Sequence, residues 1–225
     1  MRYVHTNGIR LAYPPSGQGE NVLLVMGSSA AGRVWTVYQT PALNQVEYET
    51  ITFDNRGIAP SDAPGKYSLA DMVADTKGSI EELDLAPCGV VGTFLSALIT
   101  QKLAVHHPRL VRCAVLLAPQ TRSDVARRAL LTSGIELPPT YGATKTAFQM
   151  LAWFDTDEDR LEAPQKNLRS VQGHRLLRWP HHTAALGRRG IKNCDFVEIP
   201  GTGRLGYLKH PEIVNPAIIG FLDKH

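Results

Sequence analysis

Val90-Val91-Gly92-Thr93-Phe94-Leu95-Ser96-Ala97-Leu98 is the stretch on which the fold turns. Residues 88–92 form an apolar run that reads as a buried strand, and within a few residues the pattern becomes that of a helix over Leu95–His106. A further strand pattern, Val111–Leu117, follows that helix. Strands that run parallel need a crossover connection, so this strand–helix–strand unit predicts a parallel sheet covered by helices.

The same alternation extends outward. Residues 21–26 are a continuous apolar run ending at Gly27, the pattern of a strand buried on both faces, and residues 50–53 are another, ending at Asp54-Asn55-Arg56-Gly57. Ser68-Leu69-Ala70-Asp71 opens a helix with a capping-box arrangement, and Leu69, Met72, Val73, Thr76, Ile80 and Leu83 recur at helical spacing. Residues 3–6 and 9–13, joined by Asn7-Gly8, read as a hairpin, because that dipeptide suits a tight turn with positive φ. At the other end a strand is expected over residues 195–199. A helix should start at Pro211, with Ile213, Val214, Ala217, Ile218, Phe221 and Leu222 on its inward stripe. The middle differs: residues 120–192 hold helical patches at 123–133, 144–154 and 180–188, prolines at 138, 139, 164 and 180, and no strand pattern. Between Glu162 and Asp195 there is no acidic residue, while Lys166, Arg169, Arg175, Arg178, Arg188, Arg189 and Lys192 all fall there. Such a stretch reads first as a solvated face and second as an attractor for an anionic ligand.

Composition removes several function classes. The chain has 225 residues, which is one domain at roughly 100–200 residues per domain. Its 43% hydrophobic and 20% charged residues are those of a folded globular chain. A net charge of +3 is too small a bias to argue for nucleic acid or a membrane surface. No run approaches the ~18 apolar residues of a membrane span, and Met1-Arg2-Tyr3-Val4-His5-Thr6 lacks the apolar core of a signal peptide. The cysteines, Cys88, Cys113 and Cys194, are odd in number and form no CxxC pair, so neither a disulfide framework nor a zinc site is expected and a cytoplasmic location is the plain reading.

Two glycine-rich motifs fail on their chemistry. Gly27-Ser28-Ser29-Ala30-Ala31-Gly32-Arg33-Val34 has the glycine spacing of a phosphate-binding loop, but Arg33 and Val34 stand where that loop needs Lys and Ser/Thr. Gly201-Thr202-Gly203-Arg204-Leu205-Gly206 matches GxGxxG as text, yet Pro211 interrupts before any helix begins. No nucleotide, metal or other cofactor is therefore expected.

The turn at Gly92-Thr93-Phe94-Leu95-Ser96 has the shape of a nucleophile elbow, the G-x-S-x-G turn that exposes a serine above a sheet. Leu23-Leu24-Val25-Met26-Gly27, the segment Phe53-Asp54-Asn55-Arg56-Gly57-Ile58-Ala59-Pro60-Ser61-Asp62, and the segment from Gly201 to Pro211 surround it in the right chain order. Over about residues 1–120 and 190–225 the chain resembles the α/β-hydrolase fold: a mostly parallel sheet covered by helices, with a reduced lid over residues 120–192. The resemblance places the family's serine on Phe94, its second elbow glycine on Ser96 and its general-base histidine on Arg204, and it finds no carboxylate for the acid. It therefore implies that no triad operates. A displaced triad would have to draw on Ser28, Ser29 or Ser96 with His174, His181 or His182.

What the resemblance leaves is an oxyanion hole of backbone amides, from Leu95 and from Ser28 after Gly27. Phe94 would floor the pocket, with Ser29 beside it, Trp35 and Trp153 as walls, and Arg204 either binding a ligand carboxylate or pairing with an acid such as Asp54. Among α/β-hydrolase-fold proteins, a phenylalanine at the elbow, no histidine and a short lid resemble the non-hydrolytic enzyme that epimerises a peptidyl aspartate in bottromycin biosynthesis. That resemblance implies an isomerase acting on a modified macrocyclic peptide or other small natural product by substrate-assisted proton transfer. A binding protein without turnover, and a cyclase or isomerase of another natural product, remain open alternatives. A shortened sheet edge makes a homo-oligomer possible.

Overall fold

The computed structural model describes residues 1–27, 30–118 and 205–225. The chain forms two compact units, Met1–Pro119 with Pro211–His225, and Gln120–His210. Of the second unit the described part is a short helix, α4 (Gly206–Lys209). The strand expected over 195–199 and the helical patches at 123–133, 144–154 and 180–188 lie outside the described residues.

In the first unit, β1 (Arg2–Thr6) and β2 (Ile9–Tyr13) pair antiparallel as a hairpin. Asn7 at φ 48° and Gly8 at φ 75° make the turn, the two positive-φ positions that the dipeptide predicts. The main sheet holds β3 (Pro15–Ser16), β4 (Glu20–Val25), β5 (Tyr48–Phe53), β6 (Cys88–Thr93) and β7 (Val111–Leu117) in the order β3-β5-β4-β6-β7. β4 runs parallel to β5 and β6, and β6 parallel to β7, while the two-residue β3 is antiparallel at the edge. The crossover helices are α1 (Gln39–Asn44), preceded by a 3-10 turn (Gly32–Val37), then α2 (Leu69–Glu82) and α3 (Leu95–His106). α5 (Pro211–Leu222) closes the chain.

Strand alternation assigns the two faces. Leu23, Val25, Ile51, Phe53 and Val90 point to one side, where Met72, Val73 and Ile80 of α2, Ile99 and Leu103 of α3, and Val4, Ile9 and Leu11 of the hairpin meet them in one core. On the other side Val22, Leu24 and Val91 are buried. There Leu222 of α5 approaches Gly89 so closely that a Cβ at Gly89 would stand 2.9 Å from its Cδ2. All six residues of β6 are buried, as a central parallel strand requires.

α2 starts as its sequence dictates. The Ser68 side chain accepts from the Asp71 amide while Asp71 accepts from the Ser68 amide at 2.7 Å, closing the capping box. In α5 the inward stripe is narrower than expected. Val214, Ile218 and Leu222 are buried, but Ile213 is 45% exposed, because it lies outside the arc that faces the sheet.

Candidate active site

The parallel strands deliver their C-terminal ends to one edge of the sheet, where ligands bind in open α/β folds. At that edge β6 turns into α3 through Phe94, whose backbone sits at φ 54° and ψ −111°. A side-chain-bearing residue in this region costs about 1–3 kcal/mol, and such residues concentrate at functional sites. The turn is also sterically fixed. A Cβ at Gly92 would stand 2.4 Å from the Ser96 carbonyl oxygen and from Thr100 Oγ1, so only glycine fits there. The Phe94 amide donates to the Leu117 carbonyl at 3.1 Å, tying the turn to β7.

Gly27 faces this turn from the end of β4. A Cβ there would lie 3.0 Å from Phe94 Cδ2 and 3.0 Å from the Thr93 carbonyl oxygen, so a side chain at Gly27 would press on the ring and on that carbonyl. Phe94 is 9% exposed. Leu95 opens α3, whose N-terminus has no side-chain cap, so the first-turn amides lie at the positive end of the helix dipole. The structure thus brings Gly27, Phe94 and Leu95 together. Trp35 sits in the 3-10 turn and is completely buried. Ser28, Ser29, Trp153 and Arg204 lie outside the described residues, as does any pairing of Arg204 with Asp54.

Two residues position the turn in a way the sequence pattern did not show. Ser96, in the elbow's second glycine position, donates its hydroxyl to the Met26 carbonyl. Asn55 Nδ2 donates to the same carbonyl at 2.7 Å. The peptide that leads into Gly27 is therefore held from the α3 side and from the β5 side at once. The loop after β5 continues the job. Asp54 Oδ1 accepts from the Gly32 amide at 2.7 Å, Ser61 Oγ donates to the Asp54 carbonyl at 2.6 Å and accepts from the Ala12 amide at 2.8 Å. Asp62 takes Arg10 from the hairpin at 2.9 Å, which holds the Asp62 carboxyl below its ordinary range. Arg56 forms a buried ion pair with Asp75 of α2 and lies 5.6 Å from the centre of the Tyr67 ring. Asp75 also accepts from Asn7 Nδ2 at 3.0 Å, so the same carboxylate reaches the hairpin turn.

The chemistry available here follows from what is present. Phe94 has no nucleophilic atom. Ser96 is fully buried with its proton committed to Met26. Burial pushes the Cys88 thiol up to about 12 and raises Cys113 as well, so neither is a thiolate near neutral pH. Among the described residues no group of three His, Cys, Asp or Glu side chains could hold a metal ion. No described helix is long and apolar enough to cross a membrane.

A family profile for the alpha/beta hydrolase fold matches residues 20–171 of this sequence. The chain belongs to the α/β-hydrolase fold family. Within it, the chain is 34% identical to the Mycobacterium tuberculosis protein BpoC, provisionally named a non-heme bromoperoxidase, with 95% of this chain and 97% of that protein covered. The crystal structure of BpoC from Mycobacterium tuberculosis H37Rv superposes with a TM-score of 0.78 at 31% identity over 99% of both chains. Rv0554 from the same species gives 0.77 at 32% identity, covering 96% of this chain and 94% of that one. RutD of Escherichia coli O157:H7, provisionally named a carbamate hydrolase, is 30% identical over 56% of this chain and 50% of its own length.

These relatives correct the functional expectation. The α/β-hydrolase fold stands, but a peptide epimerase, or any isomerase of natural-product biosynthesis, does not, because the related proteins carry hydrolase and peroxidase names. The error has a physical source. Substitutions at an elbow report which atoms are missing, and missing atoms do not specify a different reaction.

Proposed function

We propose that the chain is a hydrolase-type protein acting on a small acyl compound, an ester or a carbamate, at the turn formed by Gly27, Phe94 and Leu95. The observation that carries this reading is the Phe94 backbone, held at φ 54° and ψ −111° beside the uncapped start of α3. The family resemblance gives this turn two donors, the amide of Leu95, which follows Phe94 at the start of α3, and the amide of Ser28. An acyl oxygen placed there gains hydrogen bonds as negative charge develops on it, the term that dominates many acyl-transfer enzymes.

With a phenyl ring at position 94, the attacking atom belongs to water. Its oxygen adds to the acyl carbon, the carbonyl oxygen becomes the oxyanion, and collapse expels the leaving group. The leaving group takes one proton of the water and solvent takes the other. Amide donors and binding alone give about 1,000–10,000-fold over the uncatalysed reaction in sites that lack a triad, which sets the expected scale. The carbamate hydrolase name of RutD supports the substrate class, and the bromoperoxidase name of BpoC is the reason for a peroxide arm in the test.

The test is turnover of a panel of acetyl esters and carbamates, with a peroxide and bromide arm, by the purified chain and by Gly27→Ala. Hydrolysis above buffer that falls in the variant is expected, because an added Cβ displaces the ring and the adjoining amides. Rates equal to buffer across the panel, or rates unchanged in Gly27→Ala, would overturn the reading.

A further inference from the structure

We propose that a second cleft, beside the C-terminal end of β5, binds a free α-amino acid with an apolar side chain. The cleft has a volume of about 350 Å³ and is built within the first unit, with Thr52, Asp54, Arg33, Pro14, Ile58 and Pro60 among its walls. That volume falls at the small end of ligand sites. Neither Gly27, Phe94 nor Leu95 lines it, so it is separate from the elbow and does not rest on the reading given above.

Three observations specify its ligand. Asp54 is 9% exposed, and among the described residues its carboxylate accepts one hydrogen bond, from the Gly32 amide at 2.7 Å, and has no ion pair. A buried carboxylate in that condition is stabilised by a cation. The Arg33 guanidinium is exposed, lines the same cleft and is likewise outside every ion pair of the described residues. The two opposite charges therefore share one cleft without pairing with each other. Thirdly, Thr52 Oγ1 is buried and has no hydrogen-bond partner among the described residues. Thr40, Ser79, Thr93 and Thr100 carry similar hydroxyls, but none of them lines this cleft.

A molecule carrying an ammonium and a carboxylate a few bonds apart satisfies both charges. The ammonium goes to Asp54 and the carboxylate takes the planar fork of Arg33, with the unpartnered Thr52 hydroxyl buried in the wall beside them. Pro14, Ile58 and Pro60 offer an apolar surface for the side chain. A plain carboxylate would meet Asp54 as a like charge, and a plain amine would leave Arg33 without a partner.

Calorimetric titration of the full chain with L-leucine tests this, with isocaproate and isoamylamine as controls that each lack one charge. Saturable binding of L-leucine at millimolar concentration is expected. Each control should bind at least about tenfold more weakly, and so should L-leucine to Arg33→Gln, to Asp54→Asn (whose amide oxygen still accepts from Gly32) and, by a smaller factor, to Thr52→Val. Should Asp54→Asn fail to fold, the exposed Arg33→Gln decides the question. No saturable binding of L-leucine, equal binding by a single-charge control, or undiminished binding by Arg33→Gln would overturn the proposal.

Discussion

At the scale of residues, Phe94 is where backbone and side chain part company. The backbone keeps the strained turn at φ 54°, while the side chain is a phenyl ring packed on Gly27. Two substitutions separate the roles. Phe94→Ser should change ester hydrolysis by less than about tenfold, because a hydroxyl needs a neighbouring imidazole to take its proton and the family resemblance puts Arg204 where that histidine would stand. An increase on the order of a thousandfold would reveal such an imidazole. Gly27→Ala should lower stability by about 1–3 kcal/mol in denaturant titration, since its Cβ would meet Phe94 Cδ2 and the Thr93 carbonyl at 3.0 Å. The Arg56–Asp75 pair gives a third residue-scale expectation. Both side chains are almost wholly buried, so Arg56→Ala, which strands the carboxylate, should cost about 3–5 kcal/mol, whereas replacing both partners with apolar residues should cost much less.

Among elements, the joints that aim the site are made by side chains reaching from one loop to the next. Ser96→Ala removes a donor from the Met26 carbonyl and should cost about 0.5–1.5 kcal/mol, with a loss of ester hydrolysis, because the peptide entering Gly27 then loses this tie to α3. Ser68→Ala, at the far end of α2, should cost about 0.5–2 kcal/mol with no effect on turnover. Local rules made the hairpin turn, the α2 cap and the bounds of α3 and β7 readable in advance, since each depends on residues adjacent in sequence. The elbow was readable too, because Gly92 and a strand-to-helix change mark it whatever residue occupies its tip. The clasp of Ser96 and Asn55 on Met26 was not. It joins three positions far apart in the chain, and nothing in their local patterns announces the meeting. Asp75 was hidden likewise. It lies within a helix whose buried stripe reads as apolar, and its partner Arg56 sits in a loop.

For the molecule as a whole, ionisation bounds the range of stability. Burial pushes Cys88 up to about 12, and burial together with the Asp223 carboxylate does the same for Tyr48. Both groups hold their protons more tightly when folded than when unfolded, where cysteine and tyrosine titrate near ~8.5 and ~10. The folded state then binds more protons than the unfolded state above those values, so stability should be level below about pH 8.5 and decline as pH rises toward about 12. At the acid end Asp62 and Asp71 are held below the ordinary aspartate value by hydrogen bonds from Arg10 and from Ser68. Their contribution is present above ~3.9 and is lost as pH falls through their lowered values, and being exposed they contribute little. Thermal unfolding across pH checks both limbs, and a flat alkaline limb would contradict the first. The central claim is that this hydrolase-family fold works on an acyl carbon by direct attack of water, with no acyl group carried on the chain. Stopped-flow release of p-nitrophenol from p-nitrophenyl acetate, followed by intact-mass measurement of the protein, tests it most directly. The account predicts linear release from the first turnover, faster than buffer, with the mass of the chain unchanged. A burst equal to the protein concentration with an acetylated chain would contradict it.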